Sequence, residues 1–361
     1  MKDQNIQYIS QKLNKIRYYS KSIIEHGNQL SLFATGSINS QQLSKNKISI
    51  WSYDCRLLDN NDSKILNSIN HSGIVTDLKF FEYNNQPAIL SGSSDGSLSF
   101  YLFNLQNNQI KLLKRWESLH NHCELNALDL NFDLNLATVG SDGNLNILNL
   151  DSILPYYTIK NVDGLNVRSV KYQSKNELVT SGCNSILKFW DIRVSNRSPP
   201  IKVIKPLSPN QQVNSLSVHP DQTHIIATGN SDGSVTLFDF RNSFAIDQNT
   251  LHSAPVWEIS FNKLNSNQLY SCSEDGSIIS YDYANKNRLI MSMFNMVDNY
   301  DNSTQLSSSS ASTFDQSHKK IFQFIPSYST PSSIDSFDIS HTNNHLIACT
   351  SSQSLIVKTV E

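Results

Sequence analysis

The chain has 361 residues, 38% of them hydrophobic and 9% aromatic, and a net charge of −2 at pH 7. The length exceeds the roughly 50–250 residues of an ordinary single domain, and the near-neutral balance provides no global field for nucleic acid or anionic lipid. No apolar run of about 18 residues is available for a membrane helix, and MKDQNIQYIS lacks the apolar core of a signal peptide. Five scattered cysteines, an odd number without a CxxC pair, suit a reducing compartment, cytosol or nucleoplasm.

The first strand-like segment is IQYIS, residues 6–10. Behind it lies a local basic stretch, Lys12, Lys15, Arg17 and Lys21, interleaved with strand apolars and read as a solvated face. The same stretch opens a pattern of apolar-x-x-apolar-x-apolar that then recurs along the chain. It runs Leu13/Ile16/Tyr18, Val75/Leu78/Phe80, Leu125/Leu128/Leu130, Val167/Val170/Tyr172, Val213/Leu216/Val218, Val256/Ile259/Phe261 and Ile334/Phe337/Ile339. Its last two positions alternate as a strand does when one face meets a core.

After each copy comes a second phrase: a short apolar strand, a polar turn and another strand ending in an aromatic. ATGNSDGSVTLFDF (227–240) is the clearest copy. LSGSSDGSLSFYLF (90–103), ATVGSDGNLNILNL (137–150), VTSGCNSILKFWDI (179–192) and YSCSEDGSIISYDY (270–283) are its relatives. Degenerate copies occupy 33–54 and 347–360. The marker residues Trp51, Tyr101, Leu148, Trp190, Phe238, Tyr281 and Lys358 follow one another at the roughly 40–50 residues of a four-stranded blade, except across the last interval. That interval contains the Ser-rich segment 297–320, expected to be a disordered insertion.

Seven inner strands and seven phrases predict an all-β, seven-bladed β-propeller occupying 1–361. Segments such as 64–70, 156–161 and 201–207 supply fourth strands, but the chain ends before the last blade can have one. The segment 6–10 is expected to fill that place and hide the open sheet edge.

Candidate chemistry is sparse. His71, Ser91 and Asp95, and again His252, Ser271 and Asp275, repeat the residue types of a hydrolytic triad. A catalytic set is needed once, and no GxSxG elbow is present. The favoured reading is a structural tie in which a turn Asp accepts from the loop His, with Asp142 and Asp232 as further turn acids. His120, His122 and Cys123 lack the second ligand pair that a structural zinc needs, so one of the two histidines is assigned to Asp142. Phosphate-loop and dinucleotide motifs are missing, and no cofactor is expected. Trp257 stands where the other inner strands carry Thr76, Asn126, Arg168, Asn214 and Asp335, so it either plugs the channel or anchors a partner. Arg168, Arg193 and Arg241 are the other candidate partner contacts. The segments 38–46, 194–200 and 297–320 are the candidate protrusions.

With four turn Asp residues, Trp190-Asp191 and Phe238-Asp239, nearly the whole chain resembles the WD-repeat propellers. YISQKLNKIRY (8–18), FATGS (33–37), ISIWS (48–52), VTDLKFF (75–81) and VWEISFN…LYSCSEDGS (256–277) are similar to the forty-three-kilodalton WD-repeat nucleoporins of the Y-shaped outer-ring complex of the nuclear pore. The resemblance implies a non-enzymatic scaffold, monomeric within a hetero-oligomer, that docks other nucleoporins, among them an α-helical solenoid. It implies a place at the nuclear envelope, support of protein transport and mRNA export, kinetochore recruitment in some lineages, and no direct contact with nucleic acid or bilayer. Two alternatives remain at this level. Trp190-Asp191-Ile192-Arg193 and Phe238-Asp239-Phe240-Arg241 also resemble the WDxR box of substrate receptors of cullin-based ubiquitin ligases, and a peptide- or cargo-binding propeller is the other alternative.

Overall fold

The computed structural model describes residues 4–25, 28–54, 63–164, 166–195, 198–205, 211–242, 244–282, 319–323, 332–342 and 345–359. They form seven four-stranded antiparallel sheets. Apart from the 3-10 turn Leu43–Lys45 in the segment 38–46, every regular element among them is a strand. The inner strands are Leu13–Glu25, Val75–Tyr83, Leu125–Leu130, Val167–Tyr172, Val213–Val218, Val256–Phe261 and Ile334–Ile339, in blades one to seven. Each neighbours the next, and blade seven returns to blade one, so the inner strands line a closed ring.

Closure uses the N-terminus. Gln4–Tyr8 pairs antiparallel with Ser354–Thr359, the third strand of blade seven, in the register Ile6 to Ile356. The strand lies two residues earlier than the expected 6–10. Ile9 still donates its N–H to the Gln353 carbonyl at 2.9 Å as the chain turns toward blade one. Of the expected insertion, residues 297–318 lie outside the described residues. Lys319 and Lys320 open Lys319–Gln323, the outer strand of blade six.

The alternation of the inner strands sorts their side chains. The first and fourth positions of the motif, such as Val75 and Leu78 or Val256 and Ile259, are buried between sheets. Glycine at the end of the second strand makes room for them. A Cβ on Gly36 would stand 2.3 Å from Val75 Cγ1 of the next blade, and one on Gly229 would stand 2.6 Å from Val256 Cγ1. Asparagine serves the hairpins: Asn84 and Asn85 both take positive φ, 49° and 60°, as a two-residue turn requires.

Candidate functional site: the blade ties and the channel

The ties in the loop between blades vary one theme: a loop residue, a second-strand hydroxyl and a turn acid. In blade six all three are joined. His252 Nε2 lies 2.7 Å from Ser271 Oγ, and its Nδ1 lies 3.2 Å from Asp275 Oδ2 and 3.0 Å from Ser277 Oγ. Asp275 also accepts from the Ser253 and Ser277 backbone N–H groups. Burial opposes its charge, but the His252 and Ser277 hydrogen bonds win and hold the carboxyl far below the usual range. Blade three repeats the arrangement with His120, which meets Asp142 at 2.8 Å and Thr138 Oγ1 at 3.0 Å. His120 is fully buried, whereas His122 is exposed and turns to Ser118 Oγ. The histidine for Asp142 is therefore His120.

Blade two departs from the expectation. His71 reaches Ser91 Oγ at 3.0 Å, but its other nitrogen meets the Gly73 carbonyl at 3.2 Å. Asp95 accepts instead from Ser72 Oγ and from Arg115, both at 2.8 Å, because an outer-strand guanidinium competes for the carboxylate. Burial lowers the His71 imidazole to about 4. Burial works the other way on the half-exposed Asp95, yet the hydrogen bonds of Ser97, Ser72 and Ser93 bring it to about 2.

In blades four and five the residue types change. Gln211 Nε2 donates to both oxygens of Asp232, at 2.9 and 3.0 Å, where blades three and six use histidine. In blade four the polarity is exchanged: Asp163 stands in the loop, Asn184 in the turn, and Asn184 Nδ2 and Lys188 Nζ both reach Asp163 Oδ1. Where the marker is tryptophan the hydroxyl gains a further donor, Trp51 Nε1 to Thr35 at 2.8 Å and Trp190 Nε1 to Thr180 at 2.9 Å. Phe238 has no such N–H, and Thr228 Oγ1 beside it is buried without a partner. Asp163 stands at the same offset before its inner strand as His71 and His252, so position identifies it although residue type conceals it. Gln211 sits closer to its strand and carries no such signal.

Nothing in these ties offers a reaction site. The Ser271 hydroxyl and His252 ring are 2% and 3% exposed, so the buried nucleophile is out of reach of a substrate.

A second set of contacts joins the blades around the channel. All seven inner strands bulge at the second motif position, as at Val75/Asp77 and Val256/Glu258. The unpaired residue turns to the next blade. Asn14 Nδ2 donates to the Val75 carbonyl at 2.7 Å, Thr76 to Leu125, Asn126 to Val167 at 2.7 Å and Asn214 to Val256 at 3.1 Å. Arg168 uses this position to bind Asn214 Oδ1 at 2.7 Å, and Trp257 packs half-buried on the cluster of Tyr270, Cys272, Ile334 and Phe337 that blades six and seven share. Both candidate partner contacts thus act between blades in the structure.

Channel-facing side chains at the third and fifth positions accept N–H groups from the following blade. Asp77 takes Leu128 N at 3.0 Å, Asp129 takes Tyr172 N at 2.9 Å, and Ser217 takes Phe261 N at 3.1 Å. Glu258 takes Phe337 N at 3.3 Å, Ser336 takes Ile16 N at 3.3 Å, and Asp338 takes Tyr18 N at 2.8 Å. Arg17 crosses the closure, 2.5 Å from Glu258 and 3.3 Å from Asp77, with Ser336 Oγ at 3.1 Å. This corrects the reading of the basic stretch as a solvated face: Lys21 is exposed beside Glu82, but Arg17 is held inside by carboxylates from two other blades. Burial alone would raise the Glu258 carboxyl; Arg17 and Lys15 outweigh it and bring it to about 2.

Arg193 and Arg241 are exposed and fork back onto their own turns, to Asp191 and Asp239, with Nη2 at 2.7 and 2.8 Å. The WDxR pattern has this local reason in both blades.

Seven closed four-stranded blades, with loop-histidine-to-turn-acid ties in blades three and six, define a WD-repeat β-propeller. Residues 126–328 match the family model described as the Nucleolar protein 10-like, N-terminal domain, a β-propeller. The chain is 36% identical to the nuclear pore complex protein nup43 of Dictyostelium discoideum over 100% of both chains. It is 30% identical to nucleoporin Nup43 of Mus musculus over 76% of this chain and 74% of that one, and 29% identical to its Homo sapiens counterpart over the same shares. The chain belongs to the Nup43 family of WD-repeat nucleoporins.

Proposed function

We propose that the protein is a non-enzymatic scaffold subunit of the outer ring of the nuclear pore, where it docks other nucleoporins, an α-helical solenoid among them, and so supports protein transport and mRNA export. The observation that carries this reading is the end-to-end match to a nuclear pore protein, gap-spanning and full length on both sides. The site geometry supports the non-enzymatic part, since the hydroxyl–histidine contacts of blades two, three and six are buried braces repeated from blade to blade. Mitotic recruitment to kinetochores belongs to the same proposal. A fluorescently tagged full-length chain expressed in cells should give a nuclear rim and co-purify with nuclear pore proteins identified by mass spectrometry. A diffuse signal without pore proteins would sink the reading.

A further inference from the structure

The three most exposed large apolar side chains among the described residues lie at one end of one blade. Phe132 is 105% exposed, Ile153 78% and Leu154 73%, with Tyr156 beside them at 55%. Phe132 lies in the turn between the first and second strands of blade three, Leu125–Leu130 and Asn135–Gly140. Ile153, Leu154 and Tyr156 join the third and fourth, Leu145–Asn149 and Tyr157–Ile159. In a four-stranded antiparallel sheet these two turns emerge at the same end. Singly exposed apolar side chains elsewhere need no explanation, but a group of them does.

Both turns are fixed by hydrogen bonds. Asn131 Oδ1 accepts from Asp133 N and Asn135 N at 3.0 and 2.9 Å, while its Nδ2 donates to the Lys175 carbonyl of blade four at 2.8 Å. The second turn is clamped from blade two: Lys114 Nζ donates to the Leu150 and Ser152 carbonyls at 3.2 and 2.6 Å, and Trp116 Nε1 to Ser152 at 2.9 Å. Side chains presented on turns already ordered lose little entropy on binding, the property of an interface anchor.

The same end of the channel is cationic. Lys79 and Lys171 converge on one oxygen of Asp129, at 2.7 and 3.9 Å, and Asp129 is already committed to the Tyr172 N–H. Lys263, in the corresponding turn of blade six, is exposed, with the Lys79 and Lys171 ammonium groups and the Asp129 and Asp338 carboxylates as its charged neighbours. Three ammonium groups against the two carboxylates leave this mouth with surplus positive charge, which favours carboxylates.

We propose that the turn end of blade three, with the lysine-rich channel mouth next to it, is the docking surface for an acidic amphipathic segment of another nucleoporin, apolar side chains covering Phe132, Ile153 and Leu154 and carboxylates facing Lys263 and Lys171. The proposal rests on the scaffold reading and names its surface. It is tested in the full-length tagged protein with Phe132→Asp/Ile153→Asp/Leu154→Asp, with Lys263→Glu, and with Glu274→Lys as an exposed control at the opposite end of its blade. A photo-crosslinking amino acid in place of Phe132 identifies what touches this end. The triple variant should lose co-purifying pore proteins and rim signal by about tenfold or more, with an unchanged thermal midpoint because its positions are exposed. Lys263→Glu should weaken recovery several-fold, Glu274→Lys should leave it intact, and the crosslink should fall in a pore-protein segment carrying Asp or Glu beside its apolar residues. If the triple variant folds and still binds and localises as the parent does, or if the crosslink falls in RNA, lipid or a basic segment, the docking surface is overturned while the scaffold reading stands. If the parent chain itself is diffuse and recovers no pore protein, the scaffold reading fails and takes this proposal with it.

Discussion

His252 holds blade six through both ring nitrogens; removing it leaves the buried Ser271 hydroxyl without its partner and takes the imidazole donor from Asp275, which keeps the Ser253 and Ser277 N–H groups. A buried hydrogen-bonding group left without its partner costs about 1–3 kcal/mol. His252→Ala should therefore destabilise the propeller by about 2–4 kcal/mol, and Ser271→Ala by about 1–2 kcal/mol, read as shifts of the denaturant midpoint at constant slope. Asp232 retains the Ser234 N–H when Gln211 is lost, so Gln211→Ala should cost about 1 kcal/mol. Equal losses for His252→Ala and Gln211→Ala would contradict this ranking. The difference also shows what could be read in advance. Turn acids at Asp142, Asp232 and Asp275 are visible because an Asp-Gly turn sits in a repeat, and a recurring histidine points at Asp142 and Asp275. The switch of Asp95 from His71 to Arg115 is invisible, since it depends on a side chain two strands away in the same sheet.

At the scale of the strand, the closing segment Gln4–Tyr8 was legible from arithmetic alone: the last blade has three strands after the insertion and the N-terminus has one to spare. Its register was not, because Ile6 and Tyr8 alternate equally well in either frame and the pairing is set by the blade-seven edge it meets. That edge, Ser354–Thr359, becomes an unpaired row of backbone donors and acceptors when the segment is missing. Deleting residues 1–8 should lower the thermal midpoint and produce concentration-dependent oligomers by light scattering, since a bare edge strand pairs with other chains. A monodisperse deletion protein with the parental midpoint would show that the fourth strand of blade seven is dispensable.

Across the whole molecule, stability depends on joints between blades that no single repeat encodes. Arg17 and Glu258 come from blades one and six, far apart in the chain, and meet only when the ring closes, which is why Arg17 reads as one more exposed cation in the sequence. Arg17→Met leaves Glu258 buried without its direct ion-pair partner, a loss of about 3–5 kcal/mol. The pH dependence separates this from a packing defect. In the parent, the Glu258 and Asp129 carboxyls are held near 2, below their unfolded values of about 4, so they bind protons more readily in the unfolded chain. Their contribution is complete above pH ~4.5 and disappears as pH falls toward 2. His71, held near 4 by burial against about 6.5 unfolded, adds an earlier limb that erodes between pH ~6.5 and 4. His341, His345, His219 and His224, also lowered by burial, share that limb, so parental stability should fall in two stages on acidification and His71→Asn should shrink the first. With Arg17 gone, burial raises the Glu258 carboxyl, so protonation now relieves an unpaired charge and the deficit of Arg17→Met relative to the parent should shrink as pH drops from 6 to 3. A deficit that stays constant over that range, measured by urea unfolding at each pH, would mean that Arg17 braces the ring through its contacts and not through its charge.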